Sequence, residues 1–85
     1  MRDNLPSQDN LEQRMRKAKA IFDRINPDLE KHYKGKIIAI EEESGNYFIG
    51  DSELDTYEQG IKVHPGKTFV YMRIGYGAVH TAFAA

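Results

Sequence analysis

Apolar residues enter this chain at helical spacing. Leu11, Met15, Ala18, Phe22 and Ile25 recur at steps of three or four, which aligns them on one face of a 3.6-residue helix. Arg14, Arg16, Lys17, Lys19, Asp23 and Arg24 occupy the rest of its circumference. Asp9 and Glu12 have the spacing of a capping box, with Asp in place of Ser or Thr. Asn26-Pro27 then interrupts the pattern, because proline lacks an amide hydrogen and disfavours α geometry in the preceding residue. The same pair suits the start of a second short helix, capped by Asn26 and continued by Leu29 and Tyr33. Lys31, His32 and Lys34 complement the C-terminal dipole, and Gly35 suits the left-handed closing position. The pattern predicts a kinked or two-piece helix over residues 9–34.

Periodicity then changes. Lys36 to Ile40 is a β-branched run, apolar on both faces, that continues into Glu41-Glu42-Glu43. Ser44-Gly45-Asn46 is turn chemistry, and Tyr47-Phe48-Ile49-Gly50 supplies a second strand, so the segment predicts a β-hairpin. Ser52 and Asp55 open a short helix with Leu54, Tyr57 and Ile61 on one face, weakened by Gly60 and ended by His64-Pro65-Gly66. Lys67 to Ile74 is a third strand. It carries Phe69, Tyr71 and Arg73 on one side and Val70, Met72 and Ile74 on the other.

The predicted order is αββαβ, an α+β fold. A right-handed crossover makes the third strand parallel to the second, which the sheet order 2-1-3 satisfies with the first strand central. Both helices are expected on one face of this sheet, leaving the other uncovered. The expected organisation is a loose leader over residues 1–8, one domain over 9–77 and an apolar tail over 78–85.

At 85 residues the chain forms one domain, and its own core supports only a thin stability margin. It contains no cysteine, which excludes disulfides, thiolate metal sites and a cysteine nucleophile. No apolar run reaches membrane-spanning length, and Met1-Arg2-Asp3-Asn4 does not open a signal peptide, so a cytoplasmic protein is expected. The net charge is −1, but it is segregated: residues 1–36 hold nine basic and six acidic side chains, residues 37–85 three and seven.

That segregation makes Arg14, Arg16, Lys17, Lys19 and Arg24 the candidates for a phosphate-binding stripe and a nucleic-acid-binding regulator the alternative function. Asp9, Glu12 and Asp23 break the stripe, and no aromatic residue on it offers stacking. A solvated helix face is the simpler reading, and a nucleic-acid partner is not expected. Glu41 to Glu43 and the acidic residues from Asp51 to Glu58 match no calcium loop and are expected to keep a sheet edge soluble. His32, His64 and His80 lie in three elements without ligand spacing, so no metal is expected. Gly75-Tyr76-Gly77 begins a dinucleotide fingerprint but has His80 where the third glycine belongs. Scattered serines and threonines form no nucleophile motif, so neither enzyme activity nor a cofactor is expected.

The last fifteen residues concentrate Tyr71, Tyr76 and Phe83 around a single formal charge, Arg73. Such residues are enriched in interface cores, and an edge strand can pair with a strand of another chain. Phe69, Tyr71, Arg73, Tyr76 and Phe83 are therefore the expected partner-binding residues.

The stretch Leu29-Glu30-Lys31-His32-Tyr33-Lys34-Gly35-Lys36-Ile37-Ile38-Ala39-Ile40, followed by Ser44-Gly45-Asn46-Tyr47-Phe48-Ile49-Gly50 and by Arg73-Ile74-Gly75, resembles a group of small uncharacterised bacterial proteins common in cyanobacteria. The likeness spans about residues 20–77. Some of that group resemble the small first gene of two-gene arrangements whose partners are retroviral-type aspartic proteases or toxin-like proteins. The resemblance implies an accessory or antitoxin-like binding role and no catalytic residues. The expected function is thus a non-enzymatic interaction module that binds a protein partner or a second copy of itself, as a homodimer.

Overall fold

The computed structural model describes residues 8–76, with side chains described from residue 11 onward. Its elements are α1 (Gln8–Tyr33), β1 (Ile37–Glu41), β2 (Asn46–Gly50), α2 (Glu53–Val63) and β3 (Val70–Arg73). The strands form one sheet in the order β2-β1-β3. Both outer strands run antiparallel to β1, with Ala39 opposite Phe48 on one side and Tyr71 on the other. The α+β class, the hairpin and the central first strand are as the residue pattern predicts. Of the expected leader over residues 1–8 only Gln8 is described, as the first residue of α1. The rest of it lies outside the described residues, as does the tail with Phe83 and His80.

α1 is one helix rather than two. Pro27 sits inside it, and the helix begins one residue ahead of Asp9, so neither Asn26 nor Asp9 is an N-cap. Asn26 instead uses its amide elsewhere: Nδ2 donates to Glu30 at 2.7 Å and Oδ1 accepts from the Gly75 N–H at 3.0 Å. A proline without an amide hydrogen removes one helical bond, and packing along the rest of α1 offsets that loss. The helix ends as expected at Gly35, whose φ of 92° closes the turn and lets its N–H reach the Ile74 carbonyl at 2.9 Å.

The expectation of one uncovered sheet face is overturned. Side chains of β1 and β3 alternate, so Ile38, Ile40, Val70, Met72 and Ile74 point to one face and pack with Ala18 and Phe22 of α1. Ile37, Ala39, Phe69 and Tyr71 point to the other face, where Phe48, Tyr57 and Ile61 pack against them. Each helix roofs its own face. The handedness rule constrains the side on which α2 crosses between the parallel strands β2 and β3. It does not constrain α1, which enters the hairpin from outside. All of β1 is buried, as a strand apolar on both faces requires.

The α2 face is closely fitted. Ser52 caps the helix, accepting from the Asp55 N–H at 3.0 Å. Gly60 is buried directly over Phe69; a Cβ there would come 2.6 Å from the ring. The Phe69 ring meets Phe48 and Tyr57 edge-on, with centroids 6.0 and 6.3 Å apart.

Candidate interaction site

Of the five residues expected to face a partner, the four that are described do not share a surface. Phe69 is fully buried and Tyr71 nearly so, which corrects their assignment to an uncovered face: both belong to the core under α2. Arg73 is half-buried and donates from Nη1 to the Gly35 carbonyl at 2.8 Å. Tyr76 is 65% exposed, with the Lys34 ammonium 5.4 Å from its ring centroid. Phe83 lies outside the described residues. What this strand presents outward is its backbone.

The register shows how. Ile74 donates its N–H to the Lys36 carbonyl at 2.9 Å, so the peptide groups of Val70, Met72 and Ile74 face β1. Those of Tyr71 and Arg73, the alternate positions, therefore face away from β1 along the outer edge. The Arg73 carbonyl is taken by the Tyr76 N–H at 3.2 Å. The N–H and C=O of Tyr71 and the N–H of Arg73 remain directed outward, and no other described strand lies beside them.

Beside this edge runs a groove of about 270 Å³. Val70, Tyr71 and Met72 form its floor, and Glu12, Met15, Arg16 and Lys19 of α1 form its wall. Met15, which the helical spacing assigned to the core, is 36% exposed here. It stands on the flank of the apolar face that overhangs β3, with charged residues of both signs around it. Sequence periodicity places Met15 on the apolar stripe but does not show where the sheet beneath that stripe ends.

The basic stripe is divided by the fold. Arg14 lies against Glu42, with Nε to Oε2 at 2.7 Å, and also donates to the Thr68 carbonyl at 3.2 Å. Lys19 pairs with Asp23 at 2.9 Å, while Arg16, Lys17 and Arg24 are exposed. The acidic run also departs from expectation, since Glu41 and Glu42 are buried and only Glu43 meets solvent. Glu41 folds back to accept from the Ser44 N–H at 2.9 Å and the Glu43 N–H at 3.3 Å. Burial pushes its pKa up, but the hydrogen bonds from Ser44 and Glu43 outweigh that and leave it below the usual carboxylate value. Glu43 pairs with Lys67 at 2.8 Å, and Lys36 with Asp51.

His64 Nε2 lies 2.8 Å from Asn46 Nδ2, which ties the end of α2 to the hairpin turn, and His32 is exposed at the end of α1. Among the described residues no three histidine or carboxylate side chains gather closely enough to hold a metal, and no helix is long and apolar enough to cross a membrane. No family model, no curated protein and no solved structure matches this chain.

Proposed function

We propose that this protein is a small, non-enzymatic protein–protein interaction module, accessory or antitoxin-like in role, that docks its partner along the outer edge of β3. The observation that carries this reading is the conjunction of outward backbone groups at Tyr71 and Arg73 with the apolar groove walled by Met15. A strand added to such an edge gains main-chain hydrogen bonds, and the groove receives its alternate side chains. Tyr71 of β3 and Phe69 just before it contribute indirectly by locking the strand into the core, so the edge is presented rigidly.

A photo-crosslinking amino acid placed at position 15 in the cell tests the reading, with one at the exposed Lys62 on α2 as control. The expected result is a protein adduct at position 15 and none at position 62. Adducts at neither position, or equal yields at both, overturn the reading.

A further inference from the structure

Resting on that reading of the β3 edge, we infer that its occupant is a second copy of this chain, joined β3 to β3 about a two-fold axis through Tyr71. Tyr71 directs both its N–H and its C=O outward, so two copies of the strand satisfy each other at this position when they run antiparallel. No complementary foreign sequence is required. The opposite edge is less suited, because on β2 the Ile49 carbonyl already accepts from Gln59 Nε2 at 2.9 Å.

The charges around the groove are complementary under the same symmetry. α1 runs in the direction of β3: Arg14 reaches the Thr68 carbonyl before the strand, and Asn26 holds the Gly75 N–H after it. Pairing β3 with its copy makes one six-stranded sheet with both α1 helices on the same face, antiparallel across the axis. The wall residues of the groove, from Glu12 to Lys19, are then read in reverse order on the second copy. With the middle of that wall over the axis, Glu12 of each copy meets Lys19 of the other, and Met15 and Arg16 line the centre of the seam. Two half-open apolar grooves become one enclosed seam with opposite charges at both ends.

Sedimentation of the purified full chain over a range of concentrations tests the arrangement, using E12K, K19E and an equimolar mixture of the two. The wild type is expected to dimerise, and each variant to self-associate about tenfold more weakly because both symmetric contacts become repulsive. The mixture is expected to recover dimer. In a mixed pair the two substituted side chains, of opposite charge, meet at one end of the seam, and the native Lys19 and Glu12 meet at the other. A monomeric wild type at every concentration overturns the inference, whether the edge is covered by residues 77–85 or by a different protein. A dimer indifferent to both substitutions also overturns it. A monomer that still yields a crosslink to another protein at position 15 preserves the docking edge and removes only the second copy.

Discussion

β2 and β3 each pair with β1 on one side and turn their other side outward, but among the described residues a helix side chain holds the outer backbone of β2, whereas the outer Arg73 carbonyl of β3 is taken by the turn that follows it. Gln59 reaches from α2 to the Ile49 carbonyl, and Gly60 on the same helix lets α2 settle against Phe69. α1 covers the opposite face along β3, yet its side chains stop short of the strand's outer backbone and leave the Met15 groove open. Two helices suffice to roof two faces of a three-stranded sheet. Roofing a face does not blunt an edge, and an unblunted edge invites another strand.

The largest way to break this contrast is to empty the close-fitted face. Phe69→Ala removes a fully buried ring and is expected to cost about 3–5 kcal/mol, read as a fall in the denaturant midpoint. A loss under about 1 kcal/mol would mean that the α2 face is not the tighter one. Arg14→Ala attacks the other side by leaving the Glu42 carboxylate, whose side chain is 3% exposed, without its guanidinium partner. Because Arg14 itself remains 29% exposed, about 2 kcal/mol is expected rather than the full cost of breaking a deeply buried pair.

Gly60→Ala sharpens the comparison. Helix propensity alone favours alanine by about 1 kcal/mol, whereas intrusion on a fully buried ring costs about 1–3 kcal/mol, so a net destabilisation of about 1 kcal/mol is expected. A stabilised variant would show that α2 sits more loosely than described. The smallest effect at neutral pH is that of Tyr71→Phe, within about 1 kcal/mol of wild type. Its signature is alkaline. Burial, with smaller contributions from Glu53 and Tyr57, pushes the Tyr71 phenol up to about 12. An unfolded tyrosine ionises near ~10, so the folded state binds the proton more tightly. That stability is present below the unfolded pKa and is lost as pH rises through the folded one. Denaturant melts between about pH 10 and 12 are expected to fall more steeply for wild type than for Tyr71→Phe.

Much of the fold was legible because its signals are local. The three-and-four spacing from Leu11 to Ile25, the β-branched run at Ile37 to Ile40 and the Ser52 cap each depend on neighbours a few residues away. Pro27 left a kinked helix and a two-piece one both open, because propensity argued for a break, and packing on both sides of it holds one helix. Glu41 and Glu42 misled for a related reason. Their partners are a turn backbone and Arg14, which lies 28 residues from Glu42 in sequence, and nothing in an acidic tripeptide reveals that it is buried. The docking edge was legible only in part. The third strand was recognised as an edge, but its aromatic side chains point into the core, and what remains available is main chain, which carries no sequence signature.

Amide hydrogen exchange along β3 tests the open edge most directly. In dilute protein the Met72 and Ile74 amides are expected to be protected by β1 while those of Tyr71 and Arg73 exchange freely, and raising the protein concentration is expected to protect the latter pair. Equal protection of all four amides at every concentration would contradict the account, because the outer side of β3 would then already be occupied.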